Sequence, residues 1–410
     1  MKKSDPLKNK FFGSLLMKMA YYFCLLPDVF HVSDFKSKLT RMFYIHCAKL
    51  VYGLAIFINI SQMIELYNIL CSDPLIIDEV FRNFNITLYF TNVIIRGIFL
   101  KGKLSGKIFK KVFEFEDFVY SSDDPTIQTT YKKTVILVQK TKYCYAIIAS
   151  IMIACYHPAP LFRDPYYVTK GNETLVVRQL PVSLWVPFHN WHNSYLISYL
   201  YVASCGSYVT LIYTITDMIC FCFLLFGVCQ IDMLCHFISN FQRYASEHST
   251  THRTTLEESY RKMQKEIIQR HQECISYVIQ LNDTLKNIML ADFVPSSVQM
   301  ATIIYIMQKN LNVVQVLLLG QLMIFQLSRN FIYCYSCNLV TQRGLEIADY
   351  WYNLDWTEYP EDVRKNIVMC IMRPQKPLYI SLGPFSNISL ETFLAIVRGT
   401  YSYSLLLTTI

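Results

Sequence analysis

"NSYLISYLYVASCGSYVTLIYTITDMICFCFLLFGVC", residues 193 to 229, decides the fold class, because Asp217 is the only charged side chain in the whole run. A bilayer core about 30 Å thick is crossed by roughly 20 mainly apolar residues in helix. This run is longer than that, so it predicts a spanning helix continued into solvent. A carboxylate inside such a helix is costly in hydrocarbon and faces protein rather than lipid. Asp217 is expected to be a satisfied structural residue. A proton or ion relay would need a companion acid, and none stands out.

Working outward, stretches of spanning length recur. "MFYIHCAKLVYGLAIFINISQMIELYNIL" (42–70) is the first, "EVFRNFNITLYFTNVIIRGIFL" (79–100) the second and "TVILVQKTKYCYAIIASIMIACY" (134–156) the third. Beyond the fourth run come "DFVPSSVQMATIIYIMQ" (292–308), "LNVVQVLLLGQLMIFQLSRNFIYCY" (311–335) and "LETFLAIVRGTYSYSLLLTTI" (390–410). The composition agrees. Of 410 residues, 53% are hydrophobic and 17% charged, against about 25% charged in soluble domains. The reading is an all-α, polytopic membrane protein with seven transmembrane helices.

The net charge of +8 does not point to nucleic acid. Lysines and arginines cluster in the first 41 residues and around Lys101 to Lys111, flanking apolar segments. That pattern fits the positive-inside rule, whereas phosphate binding needs a continuous cationic surface. With the N-terminus cytoplasmic, the basic loops at 101–133 and 230–280 are inside and 157–192 is outside. Asn172, in "NET", then stands as a glycosylation acceptor on the outer side, and the C-terminus is extracellular. "MKKSDPLKNKFFGSLLMKMAYYFCLLP" (1–27) imitates a signal peptide, but Lys18 interrupts its apolar run. It reads as an uncleaved amphipathic segment on the cytoplasmic interface.

The segments group as follows: 1–41, a cytoplasmic N-terminal segment; 42–230, transmembrane helices one to four with the outer loop 157–192; 231–290, a cytoplasmic helical extension. Residues 291–340 hold helices five and six, 341–385 a cytoplasmic anchor helix, and 386–410 the final helix. Between 256 and 289 the apolar residues recur at helical spacing with charges between them, as in an amphipathic helix in water.

Chemistry-bearing motifs are weak. Cys334 and Cys337 have C-x-x-C spacing without the second pair or histidines that zinc requires. His248 and His252, and His189 with His192, fit polar loops and turns. Most of the fourteen cysteines, including Cys47, Cys144, Cys155, Cys205, Cys220, Cys222 and Cys370, lie in apolar runs as small fillers. The sequence has no glycine-rich phosphate loop, no nucleophile elbow and no paired carboxylates in a plausible cleft, so no catalytic residue, metal or cofactor is assigned. Arg96 and Arg329 sit nearer span ends, where snorkelling suffices, and Arg398 lies within the final span. Aromatic and polar residues share faces in the outer halves of several spans: Tyr89 and Phe90, Ser150 and His157, Tyr201 and Tyr208. Such faces serve packing or a small apolar pocket.

The last third carries a resemblance. "FIYCYSCNLVTQRGLEIADYWYNLDWTEYPEDVRKNIVMCIMRPQKPLYISLGPFSNISLETFLAIVRGTYSYSLLL" (331–407) resembles the C-terminal signature of the insect odorant receptor family. Its pieces occur in order: Tyr333 to Asn338, Ala348 to Trp356, Arg373 to Leu378, Ser389 to Phe393 and the "TYS" of the last span. Weaker agreement extends upstream to "LPVSLWVPF" (180–188), Asp217 and "RHQECI" (270–275). The resemblance implies an odorant-gated, non-selective cation channel subunit in the plasma membrane of olfactory sensory neurons, assembled as a heterotetramer with the Orco co-receptor. It implies a volatile small molecule held in the outer half of the bundle, with Tyr89 and Phe90 matching an aromatic pair at the pocket and Ile86, Tyr201 and Tyr208 grouped with them. Ser150, Ile153 and His157, and Gln315 and Leu319, fit by spacing only. In the last span it implies Leu406 and Ile410 as a hydrophobic constriction and Thr409 as a polar ring. The co-receptor's glutamine and long cytoplasmic insertion are missing here, so the resemblance implies a tuning subunit. A gustatory receptor channel is the alternative, and a G-protein-coupled receptor the more remote one, since no "DRY" or "NPxxY" equivalent is present.

Overall fold

The computed structural model describes residues 9–27, 38–72, 77–162, 166–170, 173–178, 180–186, 195–309 and 313–409. Within them the chain folds into eleven α-helices. These are α1 (Ser14–Tyr22), α2 (Lys38–Leu70), α3 (Ile77–Leu100), α4 (Lys103–Ser121), α5 (Pro125–Tyr156) and α6 (Tyr195–Ser239). There follow α7 (Phe241–His252), α8 (Leu256–Lys309), α9 (Val313–Tyr352), α10 (Glu361–Met372) and α11 (Leu390–Thr409). Two antiparallel hairpins interrupt the helices: β1 (Tyr166–Lys170) with β2 (Glu173–Val177), and β3 (Ser381–Leu382) with β4 (Ser386–Asn387). Asn172, His189 and His192, and Ile410 lie outside the described residues.

A helix apolar on every side belongs in the middle of a bundle, and α6 takes that place. Of its most apolar window 83% is buried, against 28% for α2, α5 and α9, which keep an apolar face outward. α6 packs against α3, α5, α8 and α9. Among the described residues, five helices are long and apolar enough to cross a membrane: α2, α5, α6, α8 and α9. α3 and α11 fall short of that measure. α3 intersperses Asn83, Asn85, Thr87, Thr91 and Asn92 among its apolar residues, and α11 carries Glu391 and Arg398 with several hydroxyls.

Helix ends follow local chemistry. The Asp124 carboxylate accepts from the Thr126 amide at 2.8 Å, with Pro125 at the first helical position of α5. At α8, Thr255 and Glu258 form a reciprocal capping box, each side chain accepting from the other's amide at 3.3 Å. α8 then runs unbroken for 54 residues, with Pro295 inside it. The boundaries read at 230, 290 and 340 thus fall within the continuous helices α6, α8 and α9.

In the N-terminal segment α1 leaves Ser14, Leu15 and Lys18 exposed, whereas the two residues before it that read as part of the same amphipathic face are not at the surface. Phe11 and Phe12 are fully buried, their rings edge-on to Phe226 and Phe223 of α6. Hydrogen bonds fix them: the Lys10 amide donates to Glu116 at 2.9 Å, and Lys142 Nζ to the Phe12 carbonyl. The residues read as an amphipathic face carry enough aromatic bulk to plug the groove between α4, α5 and α6.

At the far end of α6, helices α7, α8 and α9 share an aromatic node of Phe241, Tyr260 and Trp351 with Tyr359, just before α10. Phe241 stacks on Tyr260 at 5.6 Å, and Tyr260 meets Tyr359 at 4.8 Å. Gln264 donates to the Val363 carbonyl at 2.8 Å, tying α10 to α8. Before the last helix, "LGPFSN" (382–387) forms the β3–β4 turn, docked on α8 by the Ser381 amide donating to Asn282 at 2.8 Å. Gly383 in this turn has φ +54°, and a Cβ there would lie 2.8 Å from Leu290 Cδ2. The positive φ favours glycine, and any side chain would also have to displace that leucine methyl. Of the cysteines read as fillers, Cys205, Cys220, Cys222 and Cys370 are buried, whereas Cys144 and Cys155 are exposed on α5.

Candidate functional site

A cavity of about 150 Å³ opens among α3, α5, α6, α8 and α9, at the end of the bundle away from the aromatic node. Its walls are mostly apolar and aromatic. α3 contributes Ile86, Tyr89 and Phe90; α5 contributes Met152 and Tyr156, with His157 just beyond its last turn. α8 adds Ile303 and Ile306, and α9 adds Leu319, Leu322 and Phe325. α6 contributes Gly206, which lets the central helix approach closely, and Thr210 one turn on, whose hydroxyl donates to the Gly206 carbonyl at 2.8 Å.

A few polar groups punctuate this lining. Gln299 donates to the Asn85 carbonyl at 2.8 Å, and Gln326 donates to Gln299 Oε1 at 3.3 Å. Asn85 Nδ2 donates to the Thr302 hydroxyl. These bonds tie α3, α8 and α9 together along one wall. An apolar enclosure with few directed polar groups is the usual build of a small-molecule site. A dry cavity of about this volume holds one benzene-sized ring.

Five residues singled out from sequence meet here: Ile86, Tyr89, Phe90, His157 and Leu319. The others do not. Ser150 is exposed on α5, and Ile153 and Gln315 are half-buried outside the lining. Tyr201 and Tyr208 lie on α6 outside it, and the Tyr208 hydroxyl donates to the Val51 carbonyl at 2.9 Å. Residues missed from sequence include Met152, Gly206, Ile303, Phe325 and Gln326. Nothing in their local pattern separates them from core residues, because they converge from four helices.

Below the cavity lies a charged cluster. Arg96 of α3 and Arg329 of α9 face Asp217 of α6 and Asp292 of α8, all at most 1% exposed. Arg329 approaches Asp217 Oδ2 at 3.1 Å and Asp292 Oδ2 at 2.9 Å. The Tyr333 hydroxyl donates to Asp217 at 2.7 Å, and Tyr145 donates to the other oxygen. The Tyr213 ring lies 4.7 Å from the Arg96 guanidinium and 4.9 Å from that of Arg329. The set is neutral, as apolar surroundings demand. Two sequence expectations are corrected here. The companion acid of Asp217 exists, and it is Asp292. Arg96 and Arg329 do not snorkel; two buried carboxylates neutralise them in place. Cavity and cluster touch through rings, since Tyr89 packs on Tyr213 at 4.3 Å and Phe325 on Tyr145 at 5.6 Å.

The last helix lies along α8 and α9, with Phe393 meeting Phe331 at 5.6 Å. Thr400 and Ser404 are turned inward, and each hydroxyl donates to its own helix at 2.8 Å. Outward lie Leu394, Val397, Tyr401 and Leu405 at helical spacing, together with Tyr403 and Leu406, the last 58% exposed. Arg398 shares the outward side. Thr409 is the final residue of α11.

Comparisons with known proteins agree with one another. The profile of the family described as 7tm Odorant receptor matches residues 76–401. Odorant receptor 10 of Aedes albopictus is 23% identical, over 80% of this chain and 84% of its own length. Odorant receptor 30a of Drosophila melanogaster is 22% identical, over 99% and 98% of the two chains. Among solved structures, the insect olfactory receptor OR5 from Machilis hrabei in complex with eugenol superposes with a TM-score of 0.76. That match covers 96% of this chain and 97% of the other at 15% identity, a likeness of fold.

Proposed function

Because this chain belongs to the 7tm Odorant receptor family, a family of multi-pass membrane receptors and not of enzymes, we propose that it is a tuning subunit of an odorant-gated, non-selective cation channel. In this reading it assembles with the Orco co-receptor into a heterotetramer in the plasma membrane of olfactory sensory neurons. The observation that carries the proposal is the cavity of about 150 Å³, largely apolar and enclosed by five helices of the bundle. Its size and lining suit a small volatile molecule rather than a peptide or a highly charged ligand.

α3 and α11 join the five span-capable helices to make seven crossings. The N-terminus is cytoplasmic, supported by the lysines and arginines around 101–111 and in 230–280. The cavity then faces the outer half of the membrane and the aromatic node lies inside, where α7, α10 and the start of α8 serve as the anchor between subunits. The exposed apolar stripe of α11 faces its counterparts around a central pore. Leu406 and Ile410 form the constriction, Thr409 the polar ring, and an apolar ring of this kind closes by dewetting. The ligand opens the pore only through a higher affinity for the open arrangement; equal affinity for both states shifts nothing. Asn172 is the glycosylation acceptor on the outer loop.

Co-expression with Orco in a heterologous cell, followed by a panel of volatiles, tests the assignment. Inward cation current evoked by at least one volatile is expected, with none when Orco is omitted. Silence to the whole panel despite surface expression counts against the channel reading. Currents without Orco would instead favour the homomeric, gustatory-type alternative.

A further inference from the structure

His157 is the one strongly polar side chain of the cavity wall on the α5 side, and neither ring nitrogen has a hydrogen-bond partner among the described residues. The residue is 8% exposed. Its position is fixed by packing and backbone contacts. The Tyr199 hydroxyl donates to the His157 carbonyl at 3.0 Å, and the ring lies against Gly206, where an added Cβ would stand 3.0 Å from its Cε1. A neutral imidazole carries one N–H donor and one acceptor nitrogen, and leaving both unmade in an apolar setting is costly. Three other cavity groups lack partners among the described residues, Arg82 Nε, Asn85 Oδ1 and the Tyr89 hydroxyl, all on half-buried side chains of α3, whereas His157 is buried as a whole and faces them from the α5 side.

Resting on the odorant-site reading above, we propose that His157 makes this receptor selective for single-ring compounds bearing one hydroxyl, with the ring among Tyr89, Phe90 and Phe325 and the hydroxyl on the imidazole. The volume admits about one ring. A hydroxyl both donates and accepts, so either imidazole tautomer finds its complement. An isosteric methyl in place of that hydroxyl leaves the facing nitrogen unsatisfied. Sites built to hydrogen-bond a hydroxyl reject its apolar isostere far more strongly than apolar pockets discriminate methylenes.

The test uses the matched pair 4-methylphenol and 1,4-dimethylbenzene, which differ only in hydroxyl against methyl. Dose–response curves are recorded from the full chain co-expressed with Orco, beside thermal stabilisation of the purified complex by each compound. The wild type is expected to respond to the phenol at a concentration at least about tenfold lower. His157→Leu should abolish that preference while retaining the response to 1,4-dimethylbenzene, which shows that the variant folds and gates. His157→Gln should restore part of the preference. Equal potency in the wild type, or a preference that survives His157→Leu, overturns the role of His157 and leaves the odorant-site reading standing. If neither compound binds or gates while other volatiles evoke current, the ligand class proposed here is wrong. Silence to every volatile tested overturns the underlying reading as well.

Discussion

Arg96 and Asp292, 196 positions apart in sequence, are ion-paired in the middle of the bundle, with Arg96 Nε 3.1 Å from Asp292 Oδ1. The pair joins α3 to α8 directly beneath the cavity, and Arg329 with Asp217 completes a neutral quartet. Burial of four charges is weak evidence for stability, since their desolvation offsets much of the attraction. Removing one partner is another matter, because it strands a charge in apolar surroundings.

Arg96→Met should therefore destabilise the fold by about 3–5 kcal/mol. The double variant Arg96→Met with Asp292→Leu, which restores neutrality, should recover a substantial part. Thermal unfolding in detergent, followed by size-exclusion fluorescence, measures both. Losses that simply add would mean that the two residues do not interact.

Asp124 gives a pH dependence of definite sign. Burial opposes its charged form, but hydrogen bonds from the Thr126 hydroxyl, the Tyr244 hydroxyl and the Thr126 amide, together with the nearby Arg243, hold its carboxyl well below the usual range. A depressed carboxyl contributes stability above its unfolded pKa near 4 and loses it as pH falls through the folded value. Asp124→Asn should lower Tm near neutral pH, and the gap from wild type should narrow steadily below about pH 4. A gap constant down to strong acid would show that Asp124 acts only as an uncharged cap.

Gly383→Ala forces a side chain into the left-handed region and against Leu290. We expect a loss of about 1–2 kcal/mol from the backbone alone, with faster hydrogen exchange in β3, β4 and the facing turn of α8. Unchanged exchange there would mean that the turn relaxes freely.

Leu406→Ser addresses the proposed pore. A polar ring at an apolar constriction stays wetted, so basal current without odorant should rise at equal surface expression. If α11 is only an anchor, the variant changes expression and leaves the basal current per surface receptor untouched.

Much of the fold is legible in the sequence because burial in lipid is a local, cumulative signal: the 193–229 run announces α6 by composition alone. Capping chemistry is equally local, as at Asp124–Pro125 and Thr255–Glu258. The long-range relationships are not. Asp292 opens an apolar run and reads as its polar boundary, and only the fold brings it to Arg96 and Arg329. A count of charges inside apolar segments would have hinted at it, since two arginines there call for two acids. Phe11 and Phe12 look like interfacial residues until α4, α5 and α6 leave a groove of their size. Half of the residues singled out from sequence line the cavity, among them Tyr89, Phe90 and His157, which stand out by type. Gly206 and Met152 matter only through what faces them.

The most direct test of the central claim fills the cavity and reads the channel. Ile303→Trp projects a large ring into the space bounded by Tyr89 and Phe325. The measurement is odorant-evoked current in cells co-expressing Orco, with Leu406→Ser added in the same chain as an independent report on the pore. Evoked current should vanish in Ile303→Trp while the raised basal current of Leu406→Ser persists in the double variant. Undiminished odorant responses from the filled cavity would contradict the account.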